Sequence, residues 1–537
     1  MTNEAGMRLC NFEPHVECII EKEDVCKQKR ESYVRVQLEF EDGCLGTVLD
    51  VPIAEVDKSQ WWKRELRCCL EPNVPESKFR RYLSNAVKTA LNNAPTKTIY
   101  QLSRTGLFKI KEEAIFCTGL EAVRPPASTI SDEEVEFLRL KQHLDIDSKL
   151  SEAEAVSKMF DFISLCPNAG RVILVHKLIY LMYQAYVEAG KRPNVCVFLY
   201  GKTGTNKTTF SALLTQMYNR NSGIASPRRL NASIAAAVEI ITEVFDDTVV
   251  FDDLFPAESN SICRQQEETF LEVTRYIADG TIPARMKGKN ILEGSPRCGV
   301  VFTGEYIVGR GSDAVRLLPV GMTRPDSEEL KYFQDHPLII STFYYFFIRW
   351  MVENYSDIVA LLKEWLCEYR KIDSGVHRRL QETDFFFSTA YALLIQYCCD
   401  KNFLTKEDAI RLFDSFRELL TALVQQQDEK VSQKTSRKVE SRNYWESIRA
   451  LYKNGKLSVA DSIKSFDKDF NDGVIHNNSI YLRGEKLSRY FPKADISDII
   501  DELVSQGVLE VGKRNCTKQI SALRGLRFYV IPLEYLA

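Results

Sequence analysis

Apolar and polar residues alternate from Tyr33 through YVRVQLEFEDGCLGTVLDVP, on either side of a Glu-Asp-Gly turn. This period of two predicts a β-hairpin. Ahead of it, residues 1–30 carry no clear period and read as a tail. A helical pattern near 76–93 and short strands near 96–101 and 105–117 follow, so 31–125 reads as a small α+β domain. Residues 126–190 read as a helical connector, in which SDEE, starting at Ser131, supplies an N-cap and first-turn acids.

From 191 to 325 the apolar strands VCVFLY, TVVFDDLF, CGVVFTG and VRLLPV alternate with helical stretches, which is the order of an α/β domain. Residues 326–430 turn helical and aromatic (STFYYFFIRWMVENY, FFFSTAYALLIQYCC), the pattern of a packed helical core. The polar run QQQDEKVSQKTSRKVESR reads as a linker or an exposed helix end. The remaining part of 431–537 contains three helical patterns, in RNYWESIRALYKNGKL, GEKLSRYF and DISDIIDELVSQGVLEVGK. A terminal hairpin is expected in KRNCTKQISALRGLRFYVI, split at Arg524-Gly525.

A chain of 537 residues exceeds one hydrophobic core, and its length suggests roughly three to four domains. Apolar content of 45% and charged content of 27% are ordinary for a soluble protein, and a net charge of -3 argues against a uniformly basic nucleic-acid coat. No uncharged apolar run is long enough to span a bilayer, and the amino terminus lacks the basic and apolar regions of a secretory signal. A cytoplasmic protein without a membrane partner is expected. None of the 15 cysteines forms a C-x-x-C pair, so buried reduced thiols are expected. A zinc site from Cys10, Cys18 and Cys26 lacks the usual close ligand pairs.

Candidate chemistry begins in LYGKTGTNKTTF, residues 199–210. An apolar strand leads into a glycine-containing loop and then a helical pattern, as in a phosphate-binding loop. Its backbone N–H groups turn towards phosphates, the lysine neutralises their charge, and the next hydroxyl binds Mg²⁺. Gly201, Thr203, Gly204, Thr205, Asn206, Lys207, Thr208 and Thr209 are therefore the candidate ATP contacts. Asn206 stands where such loops usually carry glycine, but Asn tolerates positive φ better than other non-glycine residues.

TVVFDDLF ends a second strand in Asp252 and Asp253, some 45 residues after Lys207. The first carboxylate suits Mg²⁺, with Thr208, and the second suits orienting the attacking water. A third strand, CGVVFTGEY, ends in Thr303 and Glu305, and GRGSDAVRLLPV puts Arg316 before the next strand.

This order of elements, followed by a helical lid, resembles the AAA+ ATPases. Gly-x-x-x-Thr-x-Lys-Thr-Thr, the strand ending Thr-Gly-Glu, and Arg-Leu-Leu-x-Val are similar to the MCM-like and superfamily-3-like helicases of bacterial mobile elements: phages, pathogenicity islands and staphylococcal cassette chromosomes. The resemblance covers about 195–325 closely and 31–190 loosely. It implies an α/β fold with an AAA+ P-loop core and helical lid, an α+β domain before it and a winged helix after it. It also implies that Thr303 is sensor 1 and that Arg316, or else Arg310, reaches a neighbouring subunit's nucleotide. Arg379 or Arg378 becomes the sensor-2 candidate. Such an arginine acting between subunits requires an oligomer, by the resemblance a hexameric ring.

Between Asp253 and the third strand, Arg285, Lys287 and Lys289 cluster in a short segment. Charge alone reads this as a solvated loop; in the resembling helicases a basic hairpin here grips the nucleic-acid backbone in the pore. From Lys430 onward 19 Lys/Arg stand against 13 Asp/Glu, a local charge of about +6. The three helices with a terminal hairpin resemble a winged helix, a module that binds DNA or protein. The leading expectation is an ATP- and Mg²⁺-dependent DNA helicase acting on single-stranded and forked DNA, with an element-encoded replication partner as a further candidate. The alternative is an AAA+ protein remodeller or regulator targeted by its winged helix.

Overall fold

The computed structural model describes residues 8–537 except 59–60, 139, 141, 219–226, 231–232, 255–259, 283–284, 288–289, 293–294, 306–312, 373–374, 440–443, 488, 492–495, 510–516, 524 and 537. The chain divides into two compact units, Met1–Ser432 and Gln433–Ala537.

The first unit opens with a five-stranded sheet. Strands β1 (Phe12–Asp24), β2 (Lys29–Phe40) and β3 (Leu45–Pro52) form an antiparallel meander, and β4 (Thr96–Leu102) joins β1 in parallel. Helix α1 (Glu76–Leu91) covers one face, where Phe79 packs against Phe12 and Trp62 at ring-centroid distances of 5.8 and 5.3 Å. The expected tail over 1–30 is corrected here: Phe12–Asp24 is the middle strand of this sheet. Phe12, Pro14, Val16 and Cys18 alternate with Glu13, His15 and Glu17, so the period of two is present in the sequence; a bulge between Val16 and Cys18 puts those two on opposite faces of the sheet.

A small antiparallel sheet follows: β5 (Gly106–Ile110), β6 (Glu113–Cys117) and β7 (Ala122–Val123). Its side chains alternate between two cores. Leu107, Phe116 and Val123 join the large core of the unit, whereas Phe108, Ile110, Ile115 and Cys117 pack with Leu102 and Ile130.

The expected helix starting at SDEE is also corrected. Ser131 caps only a single turn over Asp132–Glu134, and Val135–Phe137 (β8) then pairs with β4. The first helix of this stretch is α2 (Glu152–Ser164), opened by a second Ser-x-x-Glu box, Ser151 with Glu154. Two identical cap signatures lie twenty residues apart, and only the one followed by a helical apolar period propagates.

Helices α3 (Pro167–Leu181) and α4 (Tyr183–Glu188) lead to a parallel sheet in the order β10-β11-β14-β9-β15. Its strands are β9 (Cys196–Tyr200), β10 (Arg228–Arg229), β11 (Phe245–Leu254), β14 (Arg297–Gly304) and β15 (Leu317–Gly321). A separate hairpin, β12 (Arg285–Lys287) with β13 (Asn290–Leu292), is inserted before β14. Helices α5 (Lys207–Thr215), α6 (Ile234–Glu243) and α7 (Asn260–Asp279) connect the strands. The aromatic helices α9 (Leu338–Glu353), α10 (Tyr355–Tyr369), α11 (Arg378–Asp400) and α12 (Lys406–Val439) follow α8 (Ser327–Asp335). Phe343, Phe347 and Tyr397 are fully buried among them.

Two carboxylates at the start of β11 are also buried. Asp246 accepts from the Leu107 N–H at 2.8 Å and the Arg297 guanidinium at 2.6 Å, and Asp247 pairs with Lys177 of α3. The first of these ties the small sheet to the five-stranded parallel sheet. Asp246→Ala leaves two donors without their acceptor, so a loss of about 3 kcal/mol is expected. A denaturant midpoint unchanged from the parent protein would count against that role.

In the second unit, α13 (Tyr444–Lys453), α14 (Gly484–Leu487), α15 (Ile496–Ser505) and α16 (Leu533–Leu536) accompany a sheet in the order β16-β17-β18-β19. These strands are Val459–Ala460, Gly473–His476, Ser479–Leu482 and Tyr529–Pro532. Of the expected hairpin over 513–531, residues 513–516 and 524 lie outside the described residues; among the described ones Lys518 bridges Phe528 antiparallel, and β19 pairs with β18. Gly473–Leu482 is a tight hairpin, turned by Asn477 and Asn478 at φ 50° and 56°. Two adjacent Asn residues holding positive φ are the chemistry of a two-residue hairpin turn.

Candidate nucleotide site

All five strands of the sheet β10-β11-β14-β9-β15 run parallel, so their carboxyl ends share one edge. Open parallel sheets bind ligands at that edge, where connections leave in opposite directions. Here β9 lies between β14 and β15, and its end opens directly into the loop Gly201–Asn206.

The loop is shaped by close approach. A Cβ on Gly201 would meet the Met322 carbonyl at 2.8 Å, and the Gly201 N–H donates to the Gly304 carbonyl at 3.3 Å. Gly204 has φ +79° and Asn206 has φ 59°, ψ 25°. Asn206 thus holds the left-handed conformation and caps α5 without a side-chain hydrogen bond. On this geometry Asn206→Gly should leave ATP turnover equal or faster, relieving strain of about 1 kcal/mol. Asn206→Val, which is poorly suited to that φ, should weaken ATP binding. A collapse of turnover in Asn206→Gly would give the amide a role of its own.

Lys207 is the first residue of α5, buried to 9% exposure. Its ammonium donates to the carbonyls of Gly201 and Lys202 at 2.8 and 2.9 Å, so the side chain curls back along the loop. Burial holds its pKa below the ordinary lysine value, against the opposing pull of Glu305 and Asp252. Thr205 donates to the Lys202 carbonyl at 2.9 Å, Thr203 donates to Glu305, and Thr209 is half-buried on the first turn of α5.

Thr208, Asp252 and Thr303 meet. Both hydroxyls donate to Oδ1 of Asp252 and lie 3.4 Å from each other. Three elements distant in sequence (the first turn of α5, the end of β11 and the end of β14) thereby converge beside Lys207. Asp253 follows on β11, with its side chain outside the described set. A hydroxyl and a carboxylate side by side next to a lysine form a donor set that suits Mg²⁺ accompanying a polyphosphate.

The arginines lie elsewhere. Arg316 precedes β15, whose register sets Leu317 beside Cys196, the first residue of β9. It is therefore at the opposite edge of the sheet from the loop, about 15–20 Å away along the strands. There Arg316 pairs with Asp279 at 3.2 Å and Asp313 at 3.4 Å, and Arg379 pairs with the same Asp279 at 3.2 Å. Arg378, the other lid candidate, is exposed and 3.9 Å from Glu382. Arg310 and Lys289 lie outside the described residues, as do the side chains of Arg285 and Lys287. The backbone of Arg285–Leu292 forms an antiparallel hairpin, and Ser295 donates to the Gly280 carbonyl at 2.8 Å across its base.

No family model and no curated protein matches the chain. Among solved structures, an active helicase described as Cch of SCCmec type IV aligns over 97% of this chain and 94% of its own, with TM-score 0.47 and 12% identity. The apo C-terminal region of NrS-1 aligns over 96% of each chain, with TM-score 0.28 and 9% identity. A JCV helicase aligns over 44% of this chain and 71% of its own, with TM-score 0.22 and 16% identity. Likenesses this distant leave function to be read from the residues themselves.

Asp279, Asp313 and Arg275 are site-edge residues that sequence reasoning missed. Arg275 makes a bidentate pair with Asp313 at 3.0 and 3.1 Å, so Arg275, Asp313, Arg316, Asp279 and Arg379 form one chain of ion pairs. No spacing rule links residues 275, 313 and 379. Among the described residues no helix is long and apolar enough to cross a membrane.

Proposed function

We propose that this chain is an ATP-hydrolysing motor that translocates on single-stranded DNA as a ring of AAA+ subunits, a helicase for replicating a mobile genetic element. The observation that carries the reading is the meeting of Thr208, Asp252 and Thr303 beside Lys207 at the carboxyl edge of a parallel sheet. In this reading ATP is the substrate, its phosphates lying along Gly201–Asn206 and against Lys207. Thr208 and Asp252 hold Mg²⁺, which supplies charge neutralisation at the phosphates. Asp253 accepts a proton from the attacking water, and Thr303 keeps Asp252 oriented.

The opposite edge of the sheet supports the oligomer. Register puts Arg316 at the far edge of the sheet from its own chain's loop, and Arg379 shares Asp279 with it; in this reading both serve a nucleotide held by a neighbour. A cation at the transferred phosphoryl group is worth roughly 10³–10⁵ in rate. The hairpin carrying Arg285 and Lys287, with Lys289 close to them in sequence, supports nucleic acid as the track, through phosphate contacts largely blind to sequence. The second unit, with short helices packed on a small sheet, is proposed as a winged helix that addresses the motor to DNA or to a replication partner.

The test is strand displacement on forked DNA with ATP, run beside Lys207→Ala. Displacement by the parent protein and none by the variant is expected. ATPase without displacement would favour the protein-remodelling alternative.

A further inference from the structure

The carboxylate of Asp279 holds two arginines from different parts of the fold. Arg316 comes from the turn Ala314–Arg316 before β15, and Arg379 from the first turn of the lid helix α11. Both reach the same Oδ1 at 3.2 Å. The turn carrying Arg316 is itself gripped: Gln427 of α12 donates to the Ala314 carbonyl at 2.6 Å, and Asp313 receives Arg275 of α7. At the end of α7, Arg192 donates to the carbonyls of Ile277 and Ala278 at 2.9 Å each. The last turn that bears Asp279 is thus fixed on both sides. Desolvation would raise the Asp279 carboxyl, but the guanidiniums of Arg316 and Arg379 outweigh it and hold the pKa below the ordinary aspartate value. Asp279 therefore remains charged throughout the neutral range.

Two guanidiniums drawn to one oxygen would repel each other without it. The Arg316 side chain is only 12% exposed and the Arg379 side chain 35%, so a shared anchor decides where their remaining N–H groups point. We infer that Asp279 is a positioning residue: it sets Arg316 and Arg379 side by side so that they meet a neighbouring subunit's nucleotide together. It touches no nucleotide itself. This inference rests on the ring reading above.

The experiment measures steady-state ATPase for the full-length chain carrying Asp279→Asn, alone and in mixed rings. A displacement of about 1 Å in a group acting on the reacting phosphate costs on the order of 100-fold. Turnover should fall by about 10- to 100-fold with KM for ATP unchanged, because the loop lies at the other edge of the sheet. Mixing should then sort the defect by interface. Asp279→Asn subunits keep an intact loop but present displaced arginines, whereas Lys207→Ala subunits do the reverse. Activity should return in that mixture and stay low when Asp279→Asn is mixed with Arg316→Ala. Normal turnover by Asp279→Asn, or equal rescue by both partners, would overturn the inference. Should Asp279→Asn not fold, Asp279→Glu keeps the charge on a longer arm and goes through the same mixtures, where normal turnover would again overturn it. Lys207→Ala mixed with Arg316→Ala is the control. If that pair never recovers while co-assembling, the ring reading has failed, and Asp279 is not the reason.

Discussion

Lys207→Ala protein is expected to bind ATP about 10- to 100-fold more weakly, since each hydrogen bond to a charged group contributes about 1.5–3 kcal/mol. The ammonium is already buried beside the loop, donating to the Gly201 and Lys202 carbonyls that phosphate oxygens would replace as partners. Asp253→Asn should behave differently: ATP still binds, but turnover falls by about 10²–10⁴, the usual contribution of a general base. Calorimetric titration separates the first effect, and phosphate release the second. Unchanged steady-state ATPase in both variants would remove the nucleotide-site assignment altogether.

The second large effect is expected from changing Arg285, Lys287 and Lys289 together to Ala. Basal ATPase should stay nearly intact, because the hairpin rises from the sheet edge away from the loop. Affinity for single-stranded DNA should fall, and its salt dependence should become shallower by about two units for three lost phosphate contacts. Unwinding should stop. Removing the chain from Lys430 onward should spare ATPase and single-strand binding and affect mainly targeting. A triple variant that unwinds forked DNA at the parent rate would make the hairpin a solvated surface.

Local signals carried the backbone geometry around Lys207. The strand, loop and helix around Lys207 could be read directly, because backbone requirements at Gly201, Gly204 and Asn206 act over a few residues. The meeting of Thr208, Asp252 and Thr303 was legible only as a set of strand ends, since register brings them together. What stayed hidden depends on long-range burial. FDDTVVFDDL contains two Asp-Asp pairs on one strand: Asp252 reaches the site, whereas Asp246 and Asp247 are structural. Only Arg297 and Lys177, distant in sequence, tell the pairs apart. Ser131 and Ser151 likewise open identical cap boxes, and tertiary pairing of Val135 with Tyr100 turns the first into a strand. The Asn477-Asn478 turn was a readable signal that the apparent terminal hairpin overshadowed.

Helix α7 has a mechanical consequence. It starts beyond the acidic end of β11 and finishes at Asp279, so it runs from the nucleotide edge of the sheet to the arginine edge. Halfway along, Phe270 sits edge-on against Phe198 at 5.6 Å and Phe302 at 4.5 Å, rings from the two central strands. The helix is also held at its far end, where Arg192 donates to the carbonyls of Ile277 and Ala278 and Asp279 carries two arginines, so it is a strut anchored at two points. Nine residues separate Phe270 from Asp279, about 14 Å of helix between the two anchors. A shift at the start of such a strut would be passed along its axis to Asp279 and not by rotation about Phe270.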